Sequence, residues 1–359
     1  WKLTDALTIQ PGVRINYDQK KGFYDRKVFD GQGNPVLLGQ TGAVRAAQLA
    51  IFTPQSYAPE GSKWNFSYDL TVSYKLARDV LAYATYAKSF KSFGINQNGV
   101  PNDATGAPAL AAQTIRPESI NHYEAGIKAQ FWDRKATFNL SIYRTDIKDY
   151  QAQVTNGSLG LVRGYLANAD RVRSQGVEAD FSLRPSERFN VYVSAAYNDA
   201  KYVRFVDAPC PPELSGGGTG AVIGAPGAPG TNSPANCDIS GQRLPGVSAW
   251  SFSYGAEYNV PAKLLGSDGQ VYLGVDGNYR SNFSSNPSPS AYTWVDGYSL
   301  NNVRLGYRSE AGIDVYGWVR NVFDVHYFEA LNVPGGNTGL ITGQPGDPRT
   351  FGGTVKVSF

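Results

Sequence analysis

The chain contains no methionine, only two cysteines (Cys210 and Cys237) and only two histidines (His122 and His326). Two thiols cannot build a thiolate metal cluster. Charge is scarce at 18% of residues, against roughly 25% in ordinary soluble domains. Neither sign dominates: 33 Lys and Arg face 30 Asp and Glu, a net charge of +3, which excludes strong electrostatic recruitment of nucleic acid. No apolar run approaches the ~18 residues of a spanning helix. No secretory signal precedes Trp1-Lys2-Leu3-Thr4, and without an initiator methionine the chain reads as a processed product or a fragment. What is abundant is aromatic and glycine: 23 Tyr, 17 Phe, 6 Trp and 40 Gly in 359 residues. That length would suit about two soluble domains, but a barrel runs this long as one unit.

The dominant pattern has period two. Trp64, Phe66, Tyr68, Leu70, Val72, Tyr74 and Leu76 alternate with Asn65, Ser67, Asp69, Thr71, Ser73 and Lys75. Successive side chains of a strand point to opposite faces, so one face is apolar and the other polar. The alternation recurs around Tyr123 to Phe131, Phe138 to Ile142, Val177 to Leu183, Phe189 to Tyr197, Val271 to Val275 and Phe351 to Phe359. It predicts twelve strands, over 6–18, 63–76, 80–91, 118–132, 135–148, 169–184, 189–203, 247–260, 269–281, 295–308, 312–324 and 349–359. Each reaches the ~9–11 residues that cross a bilayer at a tilt.

The connections alternate too. Short turns at 77–79, 133–134, 185–188, 261–268 and 309–311 are interleaved with long segments at 19–62, 92–117, 149–168, 204–246, 282–294 and 325–348. A soluble sandwich has no reason to put every long loop at one end, whereas a membrane barrel has short periplasmic turns and long extracellular loops. Charges of both signs, among them Glu124, Glu178, Asp180, Glu257, Asp276, Arg280, Arg304, Arg308 and Asp314, fall on the polar face. That suits a wet or plugged lumen, since lipid-facing Lys or Arg costs ~2–4 kcal/mol at the midplane. The reading is all-β: an antiparallel up-and-down transmembrane barrel. The aromatics near strand ends, Trp64, Trp132, Trp250, Tyr298, Tyr316 and Trp318 among them, are expected in its two interfacial girdles.

An ordered set of motifs resembles the β-barrel of TonB-dependent outer-membrane receptors. Asn321-Val322-Phe323-Asp324-Val325-His326-Tyr327 is similar to that family's Asn-Leu-Phe-Asp-x-x-Tyr, with Val322 for Leu. Gly346-Asp347-Pro348-Arg349 leading into Val355-Lys356-Val357-Ser358-Phe359 resembles its final strand. Tyr83-Ala84-Thr85-Tyr86 through Phe93-Gly94 resembles its Tyr-x-x-Tyr-x-x-Gly-Phe-Lys hairpin, with Phe93 where Gly often stands. Pro117-Glu118, Tyr123-Glu124-Ala125-Gly126-Ile127-Lys128 and Gly176-Val177-Glu178 follow in the family's order. The family barrel has about 22 strands and a plugged lumen. Residues 1–359 therefore read as the C-terminal part of such a barrel, with the plug, the TonB box and the first strands absent.

No catalytic constellation is visible: the histidines are far apart, and acid pairs such as Glu178 and Asp180 suit a charged wall better than general acid–base work. Cys210 and Cys237 share one long loop. A disulfide there would close about 28 residues and remove about 3.6 kcal/mol of denatured-loop entropy; two free thiols are the rival reading. The Gly/Pro/Ala-rich stretch 215–230 is either a spacer or a lid. Phe93, Tyr165, Tyr292 and Trp294 are the ligand-contact candidates, otherwise girdle or packing residues.

The resemblance implies a bacterial outer-membrane receptor, not an enzyme, that takes up a bulky scarce solute, above all a ferric siderophore, energised by TonB. It implies no cofactor; its partners are outer-membrane lipid, TonB through the missing N-terminal region, and the barrel-assembly machinery. Phe359 would be the signal that machinery reads, or else one more girdle aromatic. A passive porin is the alternative, with a barrel enzyme the remaining class.

Overall fold

The protein is described here by a computed structural model covering residues 1–39, 53–103, 107–156, 163–208, 237–264, 266–286, 290–333 and 340–358. Twelve strands form one antiparallel sheet. They are β1 (Leu7–Lys21), β2 (Glu60–Ala77), β3 (Val80–Lys91), β4 (Glu118–Phe131), β5 (Ala136–Asn156) and β6 (Arg163–Ser186). They continue with β7 (Phe189–Arg204), β8 (Trp250–Leu264), β9 (Ser267–Arg280), β10 (Tyr298–Ser309), β11 (Ile313–Arg320) and β12 (Thr350–Val357). Each pairs with its neighbours in sequence, so the sheet is a pure meander that begins at β1, ends at β12 and leaves those two edges unpaired. Among the described residues, helix is confined to 3₁₀ turns in the loops, Leu110–Gln113 and Ala291–Thr293.

All twelve expected strands exist, but several are longer than the alternation indicated. β5 and β6 continue to Asn156 and from Arg163, so the expected long loop 149–168 is mostly a tall hairpin. The hydrophobic alternation stops where the hairpin leaves the apolar layer, while the backbone ladder does not. β8 runs through Pro261 to Leu264, which shortens the expected 261–268 turn. Proline is tolerated there because Asn259 donates to Arg188 on the β7 side. Pro261, two residues on, turns its missing N–H to that same side, beyond where β7 pairs with β8. Pro11 likewise sits on the open edge strand β1.

One face of the sheet is an apolar surface with no core over it. Leu140, Val193, Val275 and Val357 are exposed at 37–56%. Phe138, Phe181 and Val191, expected to be as open, are half-buried. Phe138 lies directly across from Phe181, and Val191 from Leu183, so each ring or branch shields its cross-strand partner. Rings ladder along this face: Tyr68, Tyr86 and Tyr123 on β2–β4, and Tyr197, Trp250, Phe252 and Tyr279 on β7–β9, with neighbouring centroids 4.8–6.1 Å apart.

The opposite face is polar and laced. Arg304 bridges Glu257 at 3.0 Å and Asp276 at 3.3 Å; Arg308 reaches Glu257 at 3.6 Å and Asp314 at 3.4 Å. Tyr316 and Trp318 belong to this face, not to a girdle, because they share the register of Asp314 and Arg320. The face is built on a repeated device in which a ring lies across a glycine of the adjoining strand. Tyr83 covers Gly126, Tyr143 covers Gly176, Tyr192 covers Gly255, Tyr272 covers Gly306 and Trp318 covers Gly352. A Cβ on Gly255 would stand 2.5 Å from the Tyr192 ring, so only glycine permits the overlap.

Adjacent residues Val193 and Ser194 test the two faces. In the full-length receptor refolded into lipid vesicles, Val193→Arg is expected to cost about 2–4 kcal/mol in denaturant unfolding. Ser194→Arg, beside Asp180 on the charged face, is expected to cost under about 1 kcal/mol. Equal costs would mean that neither face meets lipid.

Candidate functional site

All the long connections emerge at one end of the sheet, and buried amides fix them there. Asn96 donates Nδ2 to the Ala112 carbonyl at 2.7 Å and to the Leu166 carbonyl at 3.1 Å, while its Oδ1 accepts from the Leu166 N–H at 2.8 Å. Gln151 on β5 donates Nε2 to the Ser92 and Arg116 carbonyls, and its N–H meets the buried Glu118 carboxylate at 2.9 Å. Gln55 pairs with both backbone groups of Val100, and the Tyr57 hydroxyl donates to the Asn96 carbonyl. Two successive loops are thereby tied to each other and to the tall β5–β6 hairpin. Unpaired, such buried amides would each cost ~1–3 kcal/mol; paired, they hold the loops in one arrangement.

A hydrophobic cluster stabilises the same end. Val172, Tyr202, Phe205, Ala208, Cys237 and Ile239 are buried together, with Tyr150, Tyr165 and Leu244 packed against them. Burial pushes the phenols of Tyr150, Tyr165 and Tyr202 above the usual range, so they remain neutral. Ser240 donates both its hydroxyl and its N–H to Asp238, which holds that carboxyl below the usual range.

The sequence-selected residues fall in different places. Phe93 is buried at 7%, under Gly61 and beneath the Lys20 ammonium. Tyr165 packs against the cluster described above. Tyr292 is exposed, and Trp294 two residues on carries the Arg243 guanidinium 5.9 Å over its ring. Only these last two are together, in one loop. Cys237 is buried in the cluster; Cys210 and Phe359 lie outside the described residues. Of the histidines, His326 is exposed and His122 bonds Thr145 at 2.8 Å and Glu124 at 3.2 Å on the polar face. Among the described residues, no group of three or more His, Cys, Asp or Glu could hold a metal ion.

Sequence reasoning missed Arg280 as a site residue. At the loop end of β9, its Nε donates to Ser248 Oγ at 3.0 Å, its Nη2 to the Gly246 carbonyl at 2.9 Å, and its guanidinium lies 3.6 Å from the Phe283 ring centroid. No carboxylate pairs with it among the described residues. It helps line a cleft of about 620 Å³ with Ser248, Tyr298, Leu300, Tyr327 and Glu329, within the usual range for small-molecule sites. The only sequence signal was its place on the polar face.

The Asn321 turn sets the edge of this cleft. Asn321 and Asp324 have φ of 48° and 55°, left-handed values that Asn and Asp adopt more readily than other side chains. Asn321 Nδ2 donates to the Val325 and Asp347 carbonyls and its Oδ1 accepts from Val325 N–H. Asp324 accepts from the Arg349 N–H at 3.0 Å and pairs with its guanidinium at 3.6 Å. The motif thus clamps the exit of β11 to the entry of β12, which places Tyr327 over Tyr298 at 4.3 Å.

Residues 1–322 match the family model described as TonB dependent receptor-like, beta-barrel. The chain belongs to the TonB-dependent receptor β-barrel family. Among curated relatives, it is 24% identical over 369 residues to the ferric-pyoverdine M114 receptor PbuA of Pseudomonas sp.. It is 23% identical over 360 residues to the catecholate siderophore receptor Fiu of Escherichia coli. The whole chain is covered in both, yet it spans only 35% and 40% of those proteins. Among solved structures, the ferric yersiniabactin uptake receptor FyuA of Yersinia pestis superposes over the whole chain with a TM-score of 0.70 at 17% identity, using 44% of that chain. These receptors are transport proteins of the bacterial outer membrane. In a TonB-dependent receptor the short-turn end of this sheet is periplasmic and the loop end, with the Arg280 cleft, extracellular.

The burial of Cys237 generates one expectation. Mass analysis of the unreduced full-length receptor should yield a peptide pair joined through Cys210 and Cys237 that reduction separates. Two unlinked peptides carrying intact thiols would refute the bridge.

Proposed function

We propose that this chain is the C-terminal part of the wall of a receptor that carries a ferric siderophore across the outer membrane, energised by TonB. The plug, the TonB box and the remaining strands of an about 22-stranded barrel would come from the rest of the protein. The reading is carried by the end-to-end alignment of the chain with receptors named for ferric pyoverdine and catecholate siderophores. Two unpaired sheet edges support it, since in lipid they must be closed by further strands.

The ligand meets the loop end. Ferric complexes of catecholate chelators are bulky and anionic, because three dianionic catecholates surround one Fe(III). A guanidinium locked by two hydrogen bonds and a ring, with no carboxylate paired to it among the described residues, meets such charge without reordering. Arg280 is the proposed anchor, with Tyr298 and Tyr327 beside it and Tyr292 and Trp294 as aromatic contacts from the adjacent loop. Phe93 and Tyr165 support the loops from beneath. In this reading the chain performs no bond-making chemistry, and iron is cargo.

Two experiments test this. Uptake of radiolabelled ferric siderophore through the full-length receptor is expected to stop when the proton gradient is collapsed, and Arg280→Ala to weaken ligand binding roughly 10–100-fold. Uptake that survives the uncoupler would establish a passive channel instead. Phe359, which follows the last strand in sequence, is proposed as the residue read by the barrel-assembly machinery, with β12 as an extended edge open to strand addition. Deleting it is expected to leave receptor in the periplasm; normal insertion would reduce it to a girdle aromatic.

A further inference from the structure

The lipid-facing side of β5–β7 carries a feature that uptake does not use. On β2–β4 the outward rings form a ladder, with Tyr68 edge-on to Tyr86 and Tyr86 tilted against Tyr123. The ring ladder resumes at Tyr197 and Trp250 on β7 and β8. Between them it is missing. The last apolar row there is Ile142–Val177–Tyr197, and the next rows on the same outward register are charged.

Those rows read Arg144–Gln175–Asp199, then Asp146–Arg173–Lys201, then Lys148–Arg171–Arg204 across the three strands. Asp146 bonds Arg144 at 2.7 Å and Arg173 at 2.8 Å, and Asp199 bonds Lys201 at 2.8 Å, so the lower rows are largely compensated. The top row is three cations directly opposite one another. Arg204 has Asp170 at 2.9 Å; no ion pair reaches Lys148 or Arg171 among the described residues, and both are exposed. Like charges placed opposite on neighbouring strands oppose pairing unless an anion sits between them.

Height selects the anion. With ~3.3 Å per residue and a strand tilt of 35–45°, the three rows stand about 5, 10 and 15 Å beyond the last apolar row. A simple phospholipid headgroup layer is only about 5–8 Å thick. The top row therefore lies above it, at a level reached only by a headgroup that carries its phosphates on sugars. Two guanidiniums and an ammonium suit phosphate oxygens, Arg bidentately and Lys as a point charge.

We propose that the outward face of β5–β7 binds the phosphorylated sugar headgroup of an outer-leaflet glycolipid, with Lys148 and Arg171 as its principal contacts. The inference rests on the outer-membrane reading. It gives this sector of the extracellular rim a specific lipid where β2–β4 and β7–β9 carry rings.

The test is native mass spectrometry of the full-length receptor in detergent with three added lipids: a phosphorylated lipid A–core glycolipid, the same glycolipid enzymatically dephosphorylated, and phosphatidylglycerol. Retention of the phosphorylated form is expected to exceed both others roughly tenfold, and excess inorganic phosphate to leave it in place. Lys148→Gln combined with Arg171→Gln should abolish the preference, while Lys263→Gln near the periplasmic turn should keep it. Equal retention of phosphorylated and dephosphorylated forms by the unaltered receptor overturns the proposal whether or not the double variant folds, as does displacement by free phosphate or an unaffected double variant. Membrane fractionation separates the two readings: a receptor in the outer membrane without this preference sinks only the lipid site, whereas one found elsewhere sinks both.

Discussion

The absence of water around the backbone governs this structure. In a hydrocarbon layer every N–H and C=O must find its partner within the protein, and neighbouring strands are the only source. The continuous ladders from β1 to β12 follow from this, as does the placement of Pro261 beyond the β7 pairing, where the chain has no ladder bond to lose. It also makes the two free edges incompatible with this sheet standing alone in a membrane.

Once the ladders are fixed, alternation distributes everything else. One face can meet lipid because Leu140, Val193 and their like are held there by register; the other becomes a charged wall because the intervening residues have nowhere else to point. The loop end obeys different rules. There the chain returns to water, and it stabilises itself as a soluble protein does, with the Tyr202–Phe205–Ile239 cluster and with buried amides such as Asn96, Gln55 and Gln151. The proposed binding cleft would draw on that rigidity, since a guanidinium held by Ser248, Gly246 and Phe283 is already ordered.

The strands were legible because lipid on one side and charge on the other write period two into the residues, as from Trp64 to Leu76. Legibility ended where that contrast ended. The upper halves of β5 and β6 carry Arg144, Asp146 and Lys148 outward, so the alternation vanishes although the strands continue. Tyr316 and Trp318 looked like girdle residues by type and position, and only register against Arg304 and Gly352 shows them facing inward. The Asn-Val-Phe-Asp motif was recognisable as a family mark, but its job as a clamp depends on Asp347 and Arg349, more than twenty residues away. Arg280 was the least legible. Its importance comes from a carbonyl and a hydroxyl on one loop and a ring on another, none of which a local pattern encodes.

The rings laid over glycines have a consequence for the space they border. A tyrosine standing upright from the wall would project its full length into the bore. Laid along the neighbouring strand, as Tyr83, Tyr143, Tyr192, Tyr272 and Trp318 are, it takes up width and very little depth. Each glycine is thus a recess that stows its neighbour's ring. The inner surface is smoother and its clearance larger than the aromatic content suggests, which suits a conduit whose contents have to shift against its side.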